Sequence, residues 1–369
     1  MGVSGLLPPL LCREGKKLNL LSMIMAQTTS AETAAVPQHV ELLRMVNGFW
    51  VSQALYVAAT LGLADLLRDG ARTTDDLARR TGAHEPSLYR LLRALTSVGV
   101  FAEETPGQFT LTPLGTSLQS DRSDSLREAA LVFGSPYLWT AWGNLLHSVK
   151  TGQLALDHLH GQGFFAYLSG HPEDAERFNQ FCAKTAALRE EPLLAGYDDF
   201  ASIKVLIDVG GGYGAILAAV LRAHSAMRGI LFDAPNVVAG APPVLEAAGV
   251  ANRCSVVGGD FFVQVPSGAD ACLLASILHD WDDERAVTIL RNCQRALPTG
   301  GRLLVLDHVV PDRHIAPETA FMDLNMHVAL PGKERTVGEF RELFEAAGFQ
   351  LKRSLLLGPF AGLVEGIKL

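Results

Sequence analysis

Four short stretches of this sequence carry residue types that could do chemistry. The first is Val205-Leu-Ile-Asp208-Val-Gly210-Gly-Gly212-Tyr-Gly214, an apolar run that ends in an acid and four glycines. Glycines allow a ligand to approach the backbone, and the helix that must follow offers free amides at its start. The register is not the dinucleotide fingerprint, because the third glycine of that pattern would fall on Ala215. The second stretch ends in Phe232-Asp233, where an acid is placed to hold the two hydroxyls of a ribose. Nicotinamide dinucleotides and S-adenosylmethionine both carry a ribose, so Asp233 leaves both open. The third, Gly259-Asp260-Phe261-Phe262, sets a carboxylate beside aromatic rings, a combination suited to the edge and face of an adenine. The fourth is Ser276-Ile-Leu-His279-Asp280-Trp281. A histidine there, beyond the end of a strand, could act as a general base.

These residues need a frame that brings strand ends together. From residue 203 onward the sequence alternates short apolar runs with helical ones. Val205 to Ile207, Ile230 to Phe232, Ser255 to Val257, Ala271 to Leu274 and Leu303 to Leu306 read as strands. Residues 215–223, 243–248 and 283–297 read as helices. That alternation predicts a parallel sheet with helices on both faces, and the crevice of such a sheet lies beyond the carboxyl ends of its strands. Residues 121–200 read as helical and rich in Phe, Tyr and Trp, the composition of a core or of a flat apolar pocket. Residues 38–120 read as helices over 75–81 and 85–98 followed by two strands around Pro106-Gly107, with Leu61 to Leu67 continuing an earlier helical stretch.

The helix, helix, wing order of residues 38–120 is shared with DNA-binding modules. However, His39 to Ser120 holds seven Arg against eight Asp or Glu and no Lys. A DNA reader carries a basic excess on this module. Its leucine-rich, neutral character predicts a protein–protein role, a homodimer. The whole chain carries a net charge of −8, which also argues against a nucleic-acid partner. The five cysteines, Cys12, Cys182, Cys254, Cys272 and Cys293, have neither CxxC spacing nor an even count, so free thiols in a reducing compartment are expected. Near the N-terminus, Arg13, Lys16 and Lys17 precede the mostly apolar run 18–26, which imitates a secretory signal but is too short to span a bilayer. Residues 1–37 are expected to be a disordered extension, with a signal or a docking arm as alternatives. No other segment is expected to cross a membrane, and the protein is expected in the cytoplasm.

Joined in order, Asp208-Val-Gly-Gly-Gly, Gly259-Asp260-Phe261-Phe262, Leu278-His279-Asp280-Trp281 with Asp283-Glu284, and Gly332-Lys333-Glu334-Arg335-Thr336 with Glu339-Phe340 and Ala347-Gly348-Phe349 are specific. From Leu42 to the C-terminus the chain resembles the plant-type caffeic acid and acetylserotonin O-methyltransferase family, including bacterial members that act on polyketides and other secondary metabolites. The resemblance implies an α/β Rossmann-like methyltransferase domain over 201–369, a helical substrate region over 121–200, and a mainly α winged-helix dimerisation domain over 38–120. It implies S-adenosylmethionine as cofactor, with Asp208, Gly210, Gly212, Asp233, Asp260, Phe261 and Ser276 as its contacts. It places the family's catalytic histidine on His279 and its two flanking glutamates on Glu334 and Asp307. Asp307 is one methylene shorter than the family's side chain.

Two further departures concern substrate recognition. The lysine that plant members place four residues before the histidine is Ala275 here, and the loop before Gly332 reads Val328-Ala-Leu-Pro331 without the plant asparagine. The implied reaction is therefore methyl transfer to a hydroxyl of a small aromatic or polyketide-type acceptor other than a plant phenylpropanoid. No metal is expected. The rival readings are a DNA-binding regulator with a methyltransferase-like sensor domain, and a relative that keeps the cofactor but performs other chemistry.

Overall fold

The structure is a computed structural model that describes residues 36–369. The signal-like run and the expected N-terminal extension lie outside the described residues, apart from Val36 and Pro37. The chain divides into two compact units, one ending at Val51 and the other spanning Ser52–Leu369.

In the first unit the helix Gln38–Val46 contains no buried residue. Leu42, Leu43, Met45 and Val46 are all exposed, which is unusual for so many large apolar side chains on nine residues.

The second unit opens with a small core built from Leu77, Leu88, Leu92, Leu95, Phe101 and Phe109. Helices Thr74–Thr81 and Glu85–Ser97 supply its leucines at helical spacing. The cap of the first of these helices is Thr73, whose side chain accepts the amide of Asp76. Strands β1 (Arg72–Thr73), β2 (Phe101–Thr105) and β3 (Gln108–Leu111) form an antiparallel wing in the order β1-β3-β2. Gly107, with φ at +78°, makes the turn between β2 and β3, and Glu103 Oε1 accepts its amide at 2.7 Å. The expected continuous helix through Leu61 to Leu67 is broken at Gly62, which takes a left-handed φ of +64° before the short helix Leu63–Leu66.

Seven helices run from Arg127 to Gly196. Tyr137, Leu138, Ala141 and Phe164 of this region pack with Met326, Val328, Ala329 and Leu330, which come from the distant helix Pro317–Ala329 and its end. The helical region is therefore completed by a helix that enters from the C-terminal part of the chain.

The central sheet is built from β4 (Val205–Val209), β5 (Arg228–Asp233), β6 (Cys254–Gly258), β7 (Ala271–Ala275) and β8 (Arg302–Asp307), followed by β11 (Phe349–Gly358) and β12 (Ala361–Lys368). Between them, β9 (Val309–Val310) and β10 (Arg335–Thr336) make a separate parallel pair. The order of the large sheet is β11-β12-β8-β7-β4-β5-β6. The expectation of an all-parallel sheet needs correction. β4 to β8 are parallel, but β12 runs antiparallel to both β8 and β11. The final two strands are joined by a short turn, which allows only antiparallel pairing.

Strand β4 is flanked by β5, which follows it, and by β7, which comes later, so the order of travel reverses beside β4. This is where an open α/β sheet leaves a crevice. The parallel strands bury continuous apolar runs against helices on both faces, with Leu206, Leu217 and Leu273 in one core and Ile207, Leu274, Ile289 and Val305 in the other. Rigid packing on both sides fixes the strand ends that carry the acids.

Candidate active site

A cavity of about 700 Å³ opens beyond the ends of β4, β5 and β7. Asp208, Gly210, Gly212, Asp233, Asp260, Phe261 and Ser276 all line it. The glycine loop owes its composition to close approach. Gly210 has φ at +74° and Gly212 at +59°, both left-handed. A methyl on Gly211 would sit 2.5 Å from Asp208 Cγ, so only hydrogen leaves room for that carboxylate beneath the loop.

Asp208 is buried and its Oδ1 has no hydrogen-bond partner among the described residues. Burial pushes its pKa up to about 7, with Asp233 adding to the effect while Arg189 and the Leu217 amide oppose it. Asp233 binds the loop itself. Its Oδ2 accepts the Gly212 amide at 2.8 Å and its Oδ1 accepts the Ala234 amide at 2.6 Å. Each oxygen retains acceptor capacity, so the same carboxylate can shape the loop and take a hydroxyl. Asp260 is exposed at the rim, where its Oδ1 accepts the Phe262 amide at 2.8 Å. Ser276 has φ at +55°, an uncommon conformation for a residue other than glycine.

His279 is buried in a short turn directly after β7. Its Nδ1 lies 2.8 Å from Glu334 Oε1, and its Nε2 lies 3.4 Å from Asp280 Oδ1. In the neutral form of the ring, assigning the Nδ1 proton to the Glu334 bond leaves Nε2 as the acceptor. Burial by itself would push the imidazole pKa down, but Glu334, Asp280 and Asp307 outweigh it and hold it up at about 10. Asp280 lines the cavity, and its own pKa is pushed up to about 7 by burial, against the pull of His279.

The expected pair of carboxylates on the imidazole is only half present. Glu334 makes its bond, whereas Asp307, at the end of β8, is buried with both oxygens unpartnered among the described residues. Its side chain, one methylene short, acts on His279 through charge alone. Burial raises the pKa of Asp307, with His279 opposing.

The Gly332 to Thr336 segment explains how the histidine turn is held. A methyl on Gly332 would overlap the His279 carbonyl and the Trp281 amide, so the two segments touch backbone to backbone. Arg335 is buried and donates to the carbonyls of Leu278 and Trp281 at 2.7 Å each, and to Asp283 Oδ1 at 2.8–3.0 Å. Thr336 and Glu339 then close a reciprocal cap on helix Val337–Ala346. Glycine, acid, arginine and threonine in succession thus bring the loop close, orient the imidazole, bind the turn and start the next helix.

Asp280 and Trp281 stand in the His279 motif of the sequence but carry no role of their own there; the structure places both on the cavity wall. Arg189, in helix Ala187–Gly196, has no motif around it and reaches the cavity only through the fold.

An unpartnered Asp208 oxygen, a glycine cradle that a side chain would fill, and acids placed for a ribose and a cation all fit S-adenosylmethionine. Family models agree. Residues 142–350 match the O-methyltransferase domain and residues 43–121 match the O-methyltransferase dimerisation domain. The chain is 44% identical to phenazine O-methyltransferase PhzM of Lysobacter antibioticus over 338 residues, 92% of this chain and 98% of that protein. The solved structure of LaPhzM, 44% identical, superimposes with a TM-score of 0.87 over 90% of this chain and all of that one. The O-methyltransferase NcsB1 from neocarzinostatin biosynthesis, solved with S-adenosylmethionine and 2-hydroxy-5-methyl naphthoic acid, is 34% identical with a TM-score of 0.73, over 86% of this chain and 96% of that one. The dimerisation domain supports a homodimer rather than a DNA-binding module. From motif, fold and these likenesses together, the chain belongs to the O-methyltransferase family and is an S-adenosylmethionine-dependent O-methyltransferase.

Proposed function

We propose that the enzyme methylates a hydroxyl of a small aromatic secondary metabolite, with His279 as general base. The carrying observation is the buried 2.8 Å bond from His279 Nδ1 to Glu334, which fixes the ring with Nε2 toward the cavity-lining Asp280. A flat acceptor is supported by the apolar wall of the cavity, where Phe165 stacks on Trp281 with ring centres 5.4 Å apart and Phe178 and Phe262 adjoin. Relatives named for phenazine and naphthoate acceptors point the same way. The free cysteines among the described residues support a cytosolic location, and no described helix is long and apolar enough to cross a membrane.

Bound S-adenosylmethionine supplies an activated methyl group on a sulfonium cation. The chain's part is to orient the acceptor and accept its proton. At neutral pH the surrounding carboxylates keep the imidazole of the ligand-free site protonated. Asp280 would be shared between His279 and the positive charge of the bound cofactor, and an imidazole released from part of that carboxylate's pull would return toward the neutral form. Nε2 then accepts the hydroxyl proton as the oxygen attacks. Glu334 stabilises the imidazolium that results. Holding the acceptor in line supplies the larger share of the acceleration, an effect that can reach about 7–11 kcal/mol.

The test is His279→Ala assayed with labelled cofactor and a panel of phenols. Cofactor binding by calorimetry should be retained, while turnover falls by roughly 10²–10⁴-fold. The deficit should shrink for acidic phenols, which are already ionised. Wild-type turnover on a phenol of high pKa at neutral pH would remove His279 from the mechanism.

A further inference from the structure

The cavity wall carries the carboxylates of Asp208, Asp233, Asp260 and Asp280 and, among the described residues that line it, one cation, Arg189. Arg189 sits in the first turn of helix Ala187–Gly196, outside every motif that marks the cofactor site. Its guanidinium donates to the Ser276 hydroxyl, its one side-chain hydrogen-bond partner among the described residues. An arginine has five N–H donors, so most of this fork is free. The side chain is half-buried and lines the cavity beside Ser276, which follows the end of β7. Loss of water lowers its pKa, while Cys182, Asp307, Asp208 and Glu334 are near enough to pull it back, and a guanidinium remains charged throughout.

The charges of the cofactor can be matched against this wall. Its ribose and adenine suit Asp233, Asp260 and the adjoining Phe261. Its ammonium and sulfonium groups are cations, suited to Asp208 and Asp280. Its α-carboxylate is an anion that four aspartates repel. A planar fork with free donors is the complement of a carboxylate, and it is tied by Ser276 to the same strand end that leads into His279.

We propose that Arg189 binds the α-carboxylate at the amino-acid end of S-adenosylmethionine, and so positions the methionyl chain between the glycine loop and the histidine turn. The proposal rests on the cofactor lying in this cavity. It also gives the helical region a direct part in cofactor binding, because Arg189 reaches in from a helix that precedes β4.

The test compares two probes by calorimetry: S-adenosylhomocysteine, and its analogue in which hydrogen replaces the α-carboxyl group. Wild-type protein should bind the first about 10- to 140-fold more tightly, the range expected for a hydrogen bond to a charged group. Arg189→Met should lose that margin. Its affinity for S-adenosylhomocysteine should fall to the level of the analogue, with its affinity for the analogue barely changed. Arg189→Lys, which keeps the charge but not the fork, should retain part of the margin. Thermal unfolding without ligand confirms that the variants fold. Equal weakening of both probes in Arg189→Met, or unchanged affinity for S-adenosylhomocysteine, overturns the proposal. Asp233→Ala run alongside should weaken both probes alike, because both carry the ribose. If it weakened neither, the assignment of the cavity to the cofactor would fail, a result separable from any failure of Arg189.

Discussion

The acids of this site are placed at a cost to the fold. Asp208 is buried with one oxygen unpartnered and its pKa pushed up to about 7, primarily by burial. A carboxyl group whose folded pKa lies above its unfolded value contributes stability that is full below the unfolded value, near 3.8, and is lost as pH rises through about 7. Asp208→Asn removes that titration. The melting temperature of the ligand-free variant should therefore gain on wild type between pH 5 and pH 8, with the gap widest at pH 8, while its cofactor affinity falls. A gap that is constant across this range would mean that Asp208 does not titrate with folding. Under the proposed general-base mechanism Glu334 is a positioning residue acting through His279, and a pH profile distinguishes this from a purely structural role. Its charge raises the imidazole pKa, so Glu334→Gln should move the acid limb of the turnover profile to lower pH as well as lowering the plateau. A lower plateau with an unmoved limb would leave Glu334 with no electrostatic part. The unbonded Asp307 should tolerate Asp307→Asn better than the bonded Glu334 tolerates the corresponding amide.

At the scale of elements, the site depends on two turns held together rather than on the strands alone. The turn after β7 carries His279, and the segment before β10 carries Glu334. Their contact is backbone on backbone at Gly332, secured by the buried Arg335. Gly332→Ala adds one methyl where none fits. Overpacking of this kind costs about 1–3 kcal/mol. The strain should fall first on the separation of His279 and Glu334, so turnover should drop more than cofactor affinity, which depends on the β4 and β5 loops. Calorimetry and kinetics on the same preparation would show this. Loss of cofactor binding in step with turnover would mean that the two turns are not a separate unit. Strand ends behave differently: the acids Asp208, Asp233 and Asp307 lie at or next to the last residue of their strands, and their positions follow from the sheet.

At the scale of the whole molecule, the feature that calls for a partner is the helix Gln38–Val46, with Leu42, Leu43, Met45 and Val46 exposed. The dimerisation match begins at residue 43, and the neutral composition of this region suits burial against a second copy. Removing residues 1–36 should leave a dimer in light scattering. Placing charges on the apolar face with Leu42→Asp and Val46→Asp should raise the monomer fraction, since each charge would have to be buried without a partner. A wild-type protein that is a monodisperse monomer would contradict the dimer.

Much of this protein was legible in its order of residues. The period of apolar positions placed the helices of the wing module and the strands β4 to β8, because local backbone preference and burial agree there. The glycine loop, Asp233, Asp260 and His279 stood out as candidates because each lies in a short motif whose composition suits the chemistry proposed for it, and Glu334 was reached only through the family resemblance. The shift to a mixed sheet was missed. Leu351 to Leu357 and Ala361 to Ile367 show no feature that separates a final hairpin from another βα unit, until the chain is seen to return beside β8. Helix Pro317–Ala329 was missed as well, since its apolar residues serve a core otherwise built from Val132 to Phe164, far earlier in the chain, and no local pattern announces such a partner. Distance settled the rest. Asp307, one methylene shorter than the glutamate the resemblance implies, makes no bond to the imidazole, and Asp280 faces both the cavity and Nε2. Arg189 arrives among carboxylates from a helix with no motif of its own. Sequence determines which groups exist and which lie on one strand or turn, whereas only the packing of remote segments decides which charges share a cavity, because electrostatic interaction depends on separation in space and on the water excluded between the groups.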